Sequence, residues 1–190
     1  MAISLKLAAP PSDEEIIEIS ERNPGYQFER SASGELIVTP TGGEPGWREL
    51  ELGAQLRNWT VQNGRGVAFG ATTGFHLPDG SLLLPDACWV HRDRWEALTA
   101  KQRRGLVPLC PDAVFELASP SDSLASLRRK MRAYLANGAR LAVLIDPERR
   151  AVEIYAPKQD PQILESARLV SFDPVLPGFT LDLELIFSSM

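Results

Sequence analysis

The sequence predicts an α/β domain, a mixed β-sheet flanked by helices, carrying an N-terminal helix-and-hairpin appendage. Three observations support this. Residues 113–117 alternate at period two, and a helical stripe follows at Leu124, Leu127, Met131, Tyr134 and Leu135. From residue 47 onward the elements run helix, three strands, helix, two strands. Ahead of them, residues 12–40 read as a separate short helix and hairpin.

In chain order, residues 12–22 form a helix with Ser12 or Asp13 as its cap and acids in its first turn. Residues 26–30 and 35–39 flank Ser33-Gly34 as a hairpin. Residues 40–46, PTGGEPG, are a loop by composition. A helix is expected over 47–63. Leu52, Leu56 and Trp59 lie on one face with Glu49, Leu50, Ala54 and Val61 form a second apolar side, and Glu51, Gln55 and Asn58 are solvated. Residues 66–77 read as one long strand and 82–90 as the next, with Pro85 marking a bend or bulge. The charged stretch 92–104 is an exposed excursion. After the central strand, the turn at 119–122 supplies the helix cap, with Asp122 as a cap residue, and Gly138 stops the helix. Residues 141–145 are a fully apolar strand, 151–155 its hairpin partner, and the remainder an irregular closure. The whole is expected to be one domain over 1–190, with the appendage at 12–40, the core at 47–156 and the closure at 157–190.

At 190 residues and 44% hydrophobic composition the chain can bury a sizeable core. No apolar run approaches the roughly 20 residues of a membrane span. Cys88 and Cys110 have neither metal-ligand spacing nor a disulfide framework, so a cytoplasmic, reduced protein is expected. A net charge of −5 argues against constitutive, tight nucleic-acid binding, which rests on phosphate neutralisation, but leaves room for transient binding through a local basic patch.

The chemistry concentrates in three residues. Asp86 is the one polar residue on the apolar face Leu82, Leu84, Cys88, Val90. Glu116 is a lone carboxylate in the central strand, where burial of its charge costs several kcal/mol unless a cation or strong donors meet it. Lys130 sits at the edge of the helical stripe that follows. Two converging carboxylates with open coordination suit Mg²⁺ or Mn²⁺. A lysine beside such a metal orients or deprotonates water and offsets phosphate charge. The bland readings are a turn acid for either carboxylate and a snorkelling surface side chain for the lysine. Against the latter, the chain has four lysines and sixteen arginines, and this lysine stands between arginines. Arg128, Arg129, Lys130 and Arg132 form a basic cluster that either meets phosphate or is a solvated face. His76, His91, Asp112, Trp47 and Trp59 read as structural.

The segments SLLLPDACWV, PDAVFELASPSD and KMRAYLANGARLAVLIDP resemble the Uma-type family of the PD-(D/E)XK nuclease superfamily, over about residues 12–187. The resemblance implies a restriction-endonuclease-like core, Mg²⁺-dependent cleavage of DNA, and Asp86 and Glu116 as metal-holding acids. The lysine expected two positions after Glu116 is replaced by Ala118, and the resemblance implies that Lys130 takes its role from the next helix. An additional acid from the first core helix is either Glu44 or Glu49, with Glu44 preferred for the polar approach to that helix. Replacing Lys130 by methionine should then slow cleavage while leaving folding nearly intact. Two rivals stand beside this reading: a non-catalytic nucleic-acid or protein-binding module on the same fold, and a structural homodimer built on an exposed edge at 141–145.

Overall fold

The structure, a computed structural model, describes residues 2–40, 42–120 and 122–188. The chain opens with β1 (Ile3–Leu5) and α1 (Asp13–Arg22). Ser12 caps α1 in a reciprocal box: its Oγ accepts the Glu15 N–H at 3.2 Å, and the Glu15 carboxylate accepts the Ser12 N–H at 2.7 Å. The hairpin follows as β2 (Tyr26–Arg30) and β3 (Leu36–Pro40), with Gly34 at φ 82° in its turn.

Helix α2 (Gly43–Asn63) begins four residues earlier than its apolar pattern indicates. Pro45 falls in the first turn, where its missing N–H would have no intrahelical acceptor in any case. Most of the expected loop 40–46 is therefore helical, and its Thr41 lies outside the described residues.

The two long strands expected next are each broken. Residues 66–77 divide into β4 (Gly66–Gly70) and β5 (Phe75–His76), where Thr73 N–H closes a turn on the Gly70 carbonyl at 3.1 Å. Residues 82–90 divide into β6 (Leu82–Leu83) and β7 (Ala87–His91), with Pro85, which has no N–H to give a ladder, in the gap. Short helix α3 (Arg92–Glu96) and a 3₁₀ turn at Gln102–Arg104 fill the charged excursion. Then come β8 (Ala113–Leu117), α4 (Leu124–Ala136), β9 (Leu141–Asp146), β10 (Ala151–Tyr155) and β11 (Gln162–Glu165). The closure is β12 (Leu169–Ser171), β13 (Thr180–Asp182) and α5 (Glu184–Phe187). The cap of α4 is Ser123 rather than Asp122. Asp122 instead folds back to accept the Ser119 N–H and hydroxyl at 2.9 and 2.7 Å, and Ser121 of that turn lies outside the described residues.

The strands form a large mixed sheet, β11-β10-β9-β8-β7-β4, and a smaller one, β1-β3-β2-β6-β5, while β12 and β13 of the closure pair with each other alone. In the large sheet only β8 and β9 are parallel, as a pair joined by a crossover helix must be. Because β5 and β6 join the appendage sheet, the chain passes between the two sheets at both strand breaks. Strand β9 lies inside the large sheet and is buried throughout, so it offers no free edge for a homodimer.

Alternation along β8 sends Phe115 and Leu117 to one face, where Leu52 and Leu56 of α2 pack with Phe172, Phe179 and Leu181 of the closure. Val114 and Glu116 face the other way, toward Met131 and Tyr134 of α4. Gln55 is not solvated: it donates to the Asp182 carbonyl at 3.0 Å and accepts the Asp182 N–H at 2.8 Å, clamping the closure to α2. The second apolar side of α2 is uncovered at Leu50 and Val61, which are exposed. Among the described residues no helix is long and apolar enough to cross a membrane.

Candidate active site

The antiparallel pairing of β7 with β8 sets Ala87 opposite Phe115. Continued one step, the same register sets Asp86 opposite Glu116, where cross-strand side chains are neighbours. The Asp86 carboxylate is locked there by the Leu117 N–H, which donates to Oδ2 at 2.7 Å. The break at Pro85 makes this possible, because it leaves the Leu117 amide without a strand partner on that side.

Glu116 is buried at 4% exposure, so its charge needs compensation. Two donors from α4 supply it on one oxygen: the Tyr134 hydroxyl at 3.0 Å and Lys130 Nζ at 2.8 Å. Lys130 and Tyr134 lie four apart and share a helix face, so one face of α4 delivers both. The amine of Lys130 also meets the Glu29 carboxylate at 2.9 Å and donates to the Leu84 carbonyl at 3.3 Å. All three of its N–H donors are thereby directed.

Burial alone would lower the Lys130 pKa, but the carboxylates of Glu116, Glu29 and Asp86 together outweigh it and hold the amine above its usual range. Burial pushes the Glu116 carboxyl up to about 7, with the Lys130 charge pulling against it and Glu29 adding to it. Asp86 is raised well above the carboxylate range, first by burial and then by the Glu116 charge, with Lys130 and the Leu117 N–H opposing and Glu49 adding a little.

Of the two first-helix acids, the structure brings Glu49 toward Asp86. Helix α2 ends beside the Gly66–His91 end of the sheet, so its N-terminal half lies toward the opposite end, where Asp86 and Glu116 sit. Glu49 is half-buried there, and burial raises its pKa. Glu44 is exposed and pairs with Arg48 at 2.8 Å, and Arg48 in turn donates to the Ile186 carbonyl of α5. The basic cluster is partly consumed internally. Arg128 grips Glu153 through Nε at 3.0 Å and Lys130 is held by its acids, while Arg129 and Arg132 are exposed and make no ion pair among the described residues.

Among the described residues no three or more His, Cys, Asp or Glu side chains are gathered to hold a metal ion. The site instead offers Asp86 Oδ1 and Glu116 Oε2, to which no hydrogen bond runs among the described residues, with Glu49 close by. An open, oxygen-only donor set fits a hard cation that keeps several of its waters.

A mixed sheet between helices, with acids on two adjacent strand ends and a lysine on the crossover helix, places the molecule among the restriction-endonuclease-like folds. Over residues 13–184 the chain matches the family described as "Uma2: Putative restriction endonuclease", and it belongs to that family. Its fold is similar to that of a crystal structure described as "a putative nuclease belonging to DUF820" from Anabaena variabilis ATCC 29413. The TM-score is 0.75 at 19% identity, covering 94% of this chain and 98% of the other. A slighter likeness, to a DrdV–DNA complex, has a TM-score of 0.39 at 13% identity, covers 60% of this chain and 9% of the other, and supports no conclusion. Among curated protein sequences none matches the chain.

Two residues of the site were not legible as such. Glu29 stands between Phe28 and Arg30 in a hairpin, and nothing local marks its carboxylate for burial against a helix a hundred residues away. Tyr134 was legible as part of the apolar stripe, but its hydroxyl also serves Glu116. The one available signal was that a buried tyrosine needs a hydrogen-bond partner.

Proposed function

We propose that the protein is a Mg²⁺- or Mn²⁺-dependent endonuclease that hydrolyses DNA phosphodiester bonds. The observation that carries the reading is Lys130 Nζ at 2.8 Å from Glu116, beside an Asp86 pinned to the adjoining strand end. This gives acids for a cation and a fixed positive charge in one place, although Ala118 leaves the customary lysine position empty.

Asp86 and Glu116 would hold the metal, and Glu49 is the better placed third acid. The bound cation supplies Lewis acidity toward a phosphoryl oxygen and a lowered pKa for a bound water. Asp86 keeps its geometry through the Leu117 amide, and Glu116 keeps its own through Tyr134. Lys130, held protonated by its acidic partners, orients water and offsets charge developing on phosphate instead of accepting a proton. DNA would be met transiently, with Arg129 and Arg132 as the exposed cations of α4. Two free, buried cysteines accord with a reducing cytoplasm.

The rival is a binding module that kept the fold without catalysis. The net charge of −5 and the internal pairing of Arg128 and Lys130 favour it. An assay on linear, supercoiled and single-stranded DNA, with Mg²⁺, with Mn²⁺ and with chelator, separates the two. Metal-dependent cleavage that disappears in Asp86→Ala supports the enzyme. DNA retention without cleavage under every condition supports the module.

A further inference from the structure

Lys130 has a second acidic partner, which the metal-site reading leaves without a task. Glu29 lies on β2 of the small sheet, is buried at 7% exposure, and places its carboxylate 2.9 Å from Lys130 Nζ. The same oxygen accepts the Leu84 N–H at 2.6 Å, while the Leu84 carbonyl accepts from Lys130 at 3.3 Å. Glu29, Leu84 and Lys130 thus close a ring of three contacts across the gap between the two sheets. The ring stands directly before Pro85 and Asp86.

We propose that Glu29 is a positioning residue of the nuclease site, fixing Lys130 beside Glu116 and making the N-terminal sheet a structural part of that site. The inference rests on the reading of Lys130 given above. A lysine stem of four carbons has many rotamers, and one carboxylate partner would leave the amine free to pivot. A second buried carboxylate and a backbone carbonyl remove that freedom, so the charge is preorganised instead of being gathered during the reaction. Glu29 meets the amine and the Leu84 N–H through a single oxygen, Oε1, so that oxygen is committed to the ring and not to a cation. An acid of this kind can keep the amine in place whatever Glu116 is bonded to. The chemistry needs a full negative charge at position 29, because a neutral amide attracts an ammonium far more weakly.

Glu29→Gln isolates that charge. Glutamine keeps the oxygen that accepts the Leu84 N–H, so a merely structural role for Glu29 predicts little change. Two readouts are made on the full chain. The first is competitive acetylation followed by mass spectrometry. It is well suited here because the other three lysines, Lys6, Lys101 and Lys158, are exposed and serve as internal standards. The second is the cleavage rate with Mg²⁺, divided into kcat and KM. The expected results are a Lys130 acetylation rate raised about tenfold or more relative to the standards, and a kcat lowered about 10- to 100-fold, the range seen when a supporting contact is lost, with KM nearly unchanged. Glu29→Asp, which keeps the charge on a shorter stem, should recover part of both. If Glu29→Gln unfolds, the Asp variant is compared with the wild type instead: its withdrawn carboxylate should raise the Lys130 acetylation rate and lower kcat, and a wild-type acetylation rate overturns the proposal. Wild-type acetylation of Lys130 in the Gln variant overturns the proposal, as does an Asp variant that behaves no better than Gln. If the wild type cleaves nothing, the endonuclease reading fails separately, and the acetylation result still decides whether Glu29 holds the amine.

Discussion

Replacing Lys130 by methionine removes the cation from between two buried carboxylates and tests the electrostatics of the site without any substrate. The sequence alone suggested that this exchange would be mild. The structure says otherwise, because the lysine side chain is only 16% exposed and Glu29 and Glu116 would face each other unpaired. Breaking a buried pair typically costs about 3–5 kcal/mol. The molecule can escape part of that by keeping a proton on one acid. Holding a carboxyl protonated at pH 8, against a usual value of 4.5, costs about 1.4 kcal/mol per pH unit, so about 5 kcal/mol at pH 8 and under about 1 kcal/mol at pH 5. The sign follows from linkage: a folded-state pKa above the unfolded value means the native state binds more protons, so stability falls as pH rises through that window. In the wild type, burial pushes the Glu116 carboxyl up to about 7, so its share of the decline, on the order of 3 kcal/mol, should be complete soon above pH 7. In Lys130→Met the decline should continue past pH 8. Urea unfolding in chelator from pH 5 to 9 measures both curves. Parallel curves above pH 7, or a penalty under about 1 kcal/mol at pH 8, would refute the placement of Lys130 between the two acids.

Tyr134→Phe removes one of the two donors on Glu116, should cost about 1 kcal/mol, and should move the wild-type pH decline further upward, as read by the same unfolding series. In calorimetry, Asp86→Asn should abolish measurable Mn²⁺ binding to the metal-free protein, and retained affinity would remove Asp86 from the metal site. Glu49→Gln should weaken Mn²⁺ binding while Glu44→Gln leaves it unchanged, and the reverse order would return the third acid to Glu44. Gln55→Ala deletes both bonds to the Asp182 backbone and should lower stability by about 1–3 kcal/mol, with faster amide exchange confined first to β12 and β13.

What could be read in advance divides along a physical line. Periodicity located α4, β8, β9 and the hairpins because their burial patterns are local and repeat every few residues. It identified Asp86 and Glu116 because a lone acid on an apolar face is a local anomaly, and Lys130 through its place on the stripe together with the family resemblance. The failures arise where a partner far along the chain decides the outcome. Gln55 looks solvated until Asp182 arrives, and Glu29 looks like an ordinary hairpin acid until α4 packs on it. The strands 66–77 and 82–90 look continuous because hydrophobic alternation does not show that the chain changes sheets partway. Pro85 gave the single hint, and it marked a transfer between sheets instead of a local bulge. The early start of α2 was hidden by glycine and proline, which weigh against a helix by propensity yet are tolerated in its first turn.

The two crossings between sheets have a consequence for how the molecule comes apart. Strands β5 and β6 belong by position to the middle of the chain but by pairing to the N-terminal sheet, where Leu82 is buried with Ile16, Phe28 and Leu36. Cutting away the first forty residues would therefore not release a trimmed core. It would strip β6 of its neighbour β2, expose Leu82 to water, and leave an unpaired edge a few residues from Asp86. A fragment beginning at residue 41 should be prone to associate through that edge, and the loosening would begin at the strand end that carries the acids. The two sheets are thereby tied into one cooperative unit, so that heat or denaturant should melt both in one transition instead of shedding the smaller one first.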